Sequence, residues 1–378
     1  MSEYQYYEFQ SVDRTLGEAD RRALRDLSSR ARITATSFTN SYDWGDFRGD
    51  PDELMARWFD LHLYLANWGS RRLMIKLPAR LVDQNRLGAF LAATDDVMLS
   101  TAGENVIVSI AREELEFEFE YRGEDDASWL AALAPLRAEL LAGDLRLFYL
   151  TWLMALETDA VEPDAAEPMP GIGPLTDALE AFAEFFCIDR NLVLAAAEQS
   201  AAPDELPPET AGRIVAAMSD AEKTGLLLRV LDGEPHVPAE LRALVRSRAE
   251  LQVTTPPVAP RTAAGLLARA DEIRLARKRA EAELVEAQRR LEAEAAKKAQ
   301  EVRLEVLRRR GESIWRDVED EIMRRNPAGY DKATALLSDL QALAEKEGSV
   351  EEFRLRLQSI RERHAGKGRF IERLTLLG

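Results

Sequence analysis

The sequence predicts an α+β domain over residues 1–157, an all-α segment over 174–253, a long charged α-helix over 262–312 and a small helical module over 313–378. Three observations carry this reading. Runs of alternating polarity rich in aromatic and β-branched residues stop by residue 121, the apolar spacing beyond residue 174 is helical throughout, and residues 262–310 contain no proline. Two Pro-rich stretches, 158–173 (TDAVEPDAAEPMPGIG) and 254–261 (TTPPVAPR), read as linkers between these parts.

Residues 3–12 (EYQYYEFQSV) predict a strand. Thr15 and Glu18 have capping-box spacing and open a helix over 19–30, and 32–39 (RITATSFT) predicts a second strand. A polar, aromatic loop, 40–49 (NSYDWGDFRG), runs into Asp50, Pro51, Asp52 and Glu53. That is a strong helix start: Asp50 caps, Pro51 suits the first turn, and the acids face the positive end of the helix dipole. Leu54, Trp58, Leu61, Leu65 and Trp68, with Met55, Phe59, His62 and Ala66 beside them, predict one central, largely buried helix through this stretch. A strand at 71–77, a helix at 79–92, a strand pair at 97–100 and 106–111 and an edge strand at 115–121 follow. Helices at 129–142 and 145–157 close the domain, and the element order allows a ferredoxin-like arrangement.

Helices are expected next at 175–186, 189–200, 208–217, 223–231 and 238–251, with a capping box at Ser219 and Glu222. The long helix would measure about 70 Å at 1.5 Å per residue. Its stripe of Ile273, Ala276, Ala280, Leu284, Ala287, Leu291, Ala295, Ala299, Val302 and Val306 repeats about every 3.67 residues, the eleven-residue period rather than a heptad. Half of the stripe is alanine, so the seam is weak. Beyond Pro327, Tyr330, Ala333, Leu337, Leu340 and Ala344 make one helix face, and Phe353, Leu357, Ile360, Phe370, Leu374 and Leu377 belong to the helices after it. Ile314, Val318 and Ile322 are expected to complete this module.

The net charge of −17 is uneven: residues 1–260 carry 24 Lys and Arg against 45 Asp and Glu, and residues 261–378 carry 26 against 22. An acidic body repels nucleic acid and anionic membranes, which makes Arg274, Arg277, Lys278, Arg279, Arg289 and Arg290 of the long helix the better candidate for a nucleic-acid contact, beside the plainer reading of a solvated helix surface. The single cysteine, Cys187, lies in the apolar run 182–188 and is expected to be a buried structural thiol; it excludes an intrachain disulfide and a thiolate zinc site. The N-terminal residues show no signal-peptide pattern and no run reaches the ~20 apolar residues of a membrane span, so a soluble cytoplasmic protein is expected.

No phosphate loop, dinucleotide fingerprint or nucleophile elbow occurs, the three histidines (His62, His236, His364) lack metal-ligand spacing, and no cofactor is expected. The best candidate patch is the loop at 42–52 with Trp68, Arg71 and Arg72; Trp44, Asp46, Asp50, Trp68, Arg71 and Arg72 are its candidate binding residues. Within it, Asp43, Asp46, Asp50 and Asp52 would be the ligands or acids of a metal-dependent hydrolase or nuclease, although they do not match a calcium-loop pattern. The predicted helix would separate the loop from Trp68 by more than ~20 Å, and the plainer reading is a structural loop pinned by Trp44 and Phe47.

Two stretches carry a resemblance. YQYYEF, ARITATSFTNSYDWGDFRGDP and LYLANWGSRRLM resemble an uncharacterised family of bacterial proteins across most of residues 1–260. YDKATALLSDLQALAEKEG with IRERHAGKGRFIERL is similar to the C-terminal tail of bacterial SWIM zinc-finger proteins, without the zinc-finger motif itself. The resemblance implies a similar helical module and supplies no catalytic residue. Together these features predict a non-enzymatic interaction or scaffold protein that docks a protein partner, or a second copy of itself, through the long helix and the tail.

Overall fold

The computed structural model describes residues 4–91, 94–113, 115, 129–199, 208–250 and 260–375. It divides into two compact units, 1–276 and 277–378. In the first, seven strands form one sheet: β1 (Gln5–Gln10), β2 (Arg32–Ile33), β3 (Ser37–Tyr42), β4 (Leu61–Ala66), β5 (Arg71–Pro78), β6 (Val97–Ala102) and β7 (Asn105–Arg112). The order is β2-β3-β1-β4-β5-β7-β6 and every neighbouring pair is antiparallel. A ferredoxin-like topology is therefore not what forms. Of the edge strand expected at 115–121, all but Leu115 lies outside the described residues, as do residues 254–259 of the second expected linker.

Both faces of this sheet are covered. One is packed by α1 (Glu18–Leu27) and α2 (Pro51–Arg57), which meet Phe9, Phe38, Met74 and Ile107. The other takes Tyr6, Leu63, Leu73, Ile75 and Val108 into a larger core. That core is built from α3 (Gln84–Leu91), α4 (Trp129–Leu133), α5 (Pro135–Leu141), α6 (Arg146–Glu157), α7 (Asp177–Phe185) and α8 (Arg190–Ala197). The first helix starts later than its expected box: Gly17 is the N-cap, and its amide donates to Asp20.

The central helix expected from Pro51 to Trp68 is not formed. α2 ends at Arg57, and residues 61–66 (LHLYLA) form β4 between β1 and β5. A strand buried on both faces is apolar nearly throughout, so its residues also satisfy helical spacing, and periodicity alone cannot tell the two apart. The turn is held by Asp60: its carboxylate accepts from the amides of Val12 (2.7 Å) and Asp13 (2.9 Å) and pairs with Lys76 at 3.1 Å. Lys76 also donates to the Met55 carbonyl at 2.9 Å. Asp60, Lys76 and Met55 are buried.

Residues 158–173, expected as a linker, pack into the core instead. Val161 and Ile172 are buried, Ala166 bridges to Thr262, and the buried Glu167 accepts from Tyr149 (2.6 Å) and Arg261 (2.8 Å). The prolines here interrupt regular structure but not packing. Cys187, expected to be buried, is exposed in the turn after α7, at φ 53°. Three further helices, α9 (Pro208–Ala217), α10 (Asp220–Leu231) and α11 (Val237–Glu250), follow; α10 opens on the expected Ser219–Glu222 capping box, and a small cluster of Ile214, Val245 and Ala249 joins α9 to α11.

The long helix, α12 (Ala263–Arg310), buries Ala263, Leu266 and Ala270 in the first unit. In the second unit its Leu304 and Leu307 join α13 (Ser313–Met323), α14 (Pro327–Glu347), α15 (Val350–Arg363) and α16 (Gly368–Leu374). Ile314, Val318 and Ile322 complete the core made by Tyr330, Leu337, Phe353, Ile360 and Phe370, as their spacing predicts; Leu377 lies outside the described residues.

Removing Asp60 would strand the buried Lys76 charge and take the acceptor from the Val12 and Asp13 amides. Asp60→Ala is expected to cost about 3–5 kcal/mol in urea unfolding, and Asp60→Asn less, because an amide oxygen still accepts from Val12 and Asp13. Burial pushes the Glu167 carboxyl up, but hydrogen bonds from Arg261 and Tyr149 outweigh it and hold the group below the usual glutamate range. The unfolded chain therefore binds the proton more readily, so this contribution is complete above the unfolded pKa of about 4.3 and is lost as pH falls through the folded value. Urea midpoints measured across that acid range should fall for the native chain and fall less steeply for Glu167→Gln.

Candidate functional site

Strand alternation puts Gln5, Tyr7 and Phe9 on the α1/α2 face of the sheet. Register then sets Phe9 opposite His62, Tyr7 opposite Tyr64, and Tyr64 opposite Arg72. The row through Phe9 and Met74 is buried with α2, whose first turn brings Pro51 to the border of the next row. There Tyr7, Tyr64 and Arg72, with His62 at the base and Arg71 and Glu113 at the rim, line a cavity of about 210 Å³.

His62 is fully buried and stacks on Phe9, ring centroids 3.9 Å apart. Its Nδ1 lies 2.9 Å from the Glu8 carbonyl, which can only accept, so Nδ1 carries the hydrogen and Nε2 presents a lone pair. Nε2 is buried and meets no donor among the described residues. Desolvation lowers the pKa to about 3, and the nearby Arg72 charge adds to this against the Glu8 hydrogen bond. The ring is neutral at ordinary pH.

Arg72 is held by Asp52 (3.0 and 3.2 Å) and donates Nε to Ser109 at 2.8 Å. The Tyr7 hydroxyl donates to Gln5 at 2.7 Å and the Tyr64 hydroxyl to the same oxygen at 3.4 Å. Burial pushes both phenols up, Tyr64 to about 12 and Tyr7 further, so both stay protonated.

The structure gathers part of the expected patch and disperses the rest. Arg72 and Asp52 form one pair, Asp46 accepts from Gln5 at 3.1 Å, and Asp50 caps α2 through the Asp52 amide at 2.9 Å. Asp43 is exposed. Among the described residues no three His, Cys, Asp or Glu side chains gather as a metal site. Trp44 is 73% exposed and does not pin the loop; Phe47 does, against Tyr7 (5.1 Å) and Phe38 (5.7 Å). Trp68 is 45% exposed in the β4–β5 turn. It is not a helix length away from the loop, because Tyr42 and Ala66 both pair with Gln5 and place the two turns at one end of the sheet. Arg71 reaches the other face, over the Phe185 ring at 5.1 Å. Tyr7, His62 and Tyr64 were missed because YQYYEF and LHLYLA had to be read together as paired strands.

The cations of α12 are interleaved with acids. Arg274 pairs with Asp271 (2.6 Å) and Asp189 (2.9 Å), Arg277 with Glu281 (3.6 Å), and Arg290 with Glu286. No helix among the described residues is long and apolar enough to cross a membrane.

A buried neutral imidazole should not titrate in the ordinary range. The His62 ring resonances, assigned by their loss in His62→Gln, are expected to stay constant from about pH 7 to pH 4.5, whereas a free histidine titrates near 6.5. No family model, curated protein or solved structure matches the chain.

Proposed function

We propose that the chain is a cytoplasmic interaction protein that docks a helical protein partner along α12, with the helical module at 313–378 as the adjoining surface. The observation that supports this reading is the exposure of α12 from Lys278 to Arg303, where every residue is exposed. Leu284, Leu291 and Val302 are nonetheless 71%, 63% and 65% exposed on the stripe that also holds Ala280, Ala287, Ala295 and Ala299. A solvated helix gains nothing from large exposed apolar side chains, and pairs such as Glu286–Arg290 support it without them. A stripe of leucine and valine separated by alanines suits a second helix brought close. Its near-straight period and mixed charge favour a partner helix of both signs over a polyanion, because Arg274, Arg277 and Arg290 already have acidic neighbours.

The test is affinity purification from the native host with mass spectrometry, comparing the native chain with a Leu284→Lys, Leu291→Lys, Val302→Lys variant of unchanged circular dichroism. A specific protein should be retained by the first and lost by the second. Light scattering at twice the 42.4 kDa chain mass would identify the partner as a second copy. A monomer that retains nothing, or equal retention by the variant, rejects the proposal.

A further inference from the structure

We infer that the cavity on the sheet between Tyr7, Tyr64 and Arg72 is a binding site for a small, uncharged, planar nitrogen heterocycle of nucleobase size. The base of the cavity specifies one half of the ligand. His62 Nε2 is a fully buried acceptor without a donor, and its tautomer is fixed by the Glu8 carbonyl on the other side of the ring. A buried polar atom left so is costly, and a ligand N–H answers it. Arg72 specifies the other half. Its Nε and one Nη are engaged by Ser109 and Asp52, while the remaining Nη1 has no acceptor among the described residues. The ligand edge therefore carries a donor beside an acceptor.

Shape and charge narrow the class. Gln5 takes the hydroxyls of Tyr7 and Tyr64, which leaves the ring bodies, tilted at centroids 4.8 Å apart, as apolar walls. About 210 Å³ is some seven water volumes at about 30 Å³ each, room for one or two fused rings and too little for a drug-sized molecule. Arg72 is offset by Asp52, the Arg71 guanidinium is turned to the other face, and Glu113 adds a carboxylate to the lining, so the surroundings do not favour an anion. The acidic balance of residues 1–260 further disfavours a polyanion, so the free base is the expected form rather than a nucleotide or a nucleic acid.

The experiment titrates the full chain with adenine and cytosine, with the corresponding 5′-monophosphates and with benzoate, a planar anion that has only acceptors. Calorimetry gives Kd, and 15N-histidine spectra follow Nε2 of His62 in the native protein. A base should bind and shift the Nε2 resonance, the monophosphate should bind at least tenfold more weakly, and benzoate should not bind. His62→Phe, which keeps the ring stack, and Arg72→Met, at a part-exposed position, should each weaken the base at least tenfold. A native Nε2 resonance unmoved by either base up to its solubility limit would overturn the assignment, as would benzoate binding equally or affinity unchanged in Arg72→Met.

Discussion

The first unit depends on burying β1, β4, β5 and β7 on both faces. A two-sided strand can carry few polar side chains, and each one that remains must find a partner within the sheet layers. Asp60 and Lys76 meet this requirement where the chain turns from α2 into β4. One carboxylate satisfies two amides and an ammonium, and that ammonium satisfies a helix-end carbonyl. The same constraint bears on the Pro-rich stretch at 158–173: its buried Glu167 is the partner of the buried Tyr149 and of the half-buried Arg261.

The cavity arises where this cover stops. α2 is only two turns long, so it shields the Phe9–His62–Met74 row and leaves the next row facing outward. Aromatic and charged residues follow one another along a row because neighbouring strands contribute opposite residues. His62 is thus held by burial as a neutral acceptor next to a guanidinium, a combination that an exposed histidine would not maintain.

In the second unit the balance differs. Its helices bury a core from Leu304 to Leu374, yet every α12 residue from Lys278 to Arg303 is exposed. The chain's charge follows this division, acidic over residues 1–260 and slightly basic beyond. Ion pairs one helical turn apart, Arg277–Glu281 and Arg290–Glu286, support the exposed stretch without accounting for its leucines.

Most elements were legible because they rest on local chemistry, such as the Asp50–Pro51 start of α2 and the Ser219 box of α10. The tail core was legible from its helical spacing between Ile314 and Leu374, whereas the part that Leu304 and Leu307 of α12 take in it was not. Residues 61–66 were not, since a buried strand and a buried helix share the same apolar residues and only the pairing with β1 and β5 separates them. The candidate site was half legible: Arg72 and Asp52 stood out as charges near tryptophans, whereas Tyr7, His62 and Tyr64 looked like core. The sequence by itself determined the α+β class, the helical tail and the exposed period of α12, because capping, alternation and periodicity act within a few residues. Only the tertiary structure decided the two-sided sheet, the packing of 158–173 and the cavity at His62, because strand register brings together residues more than fifty positions apart in the chain.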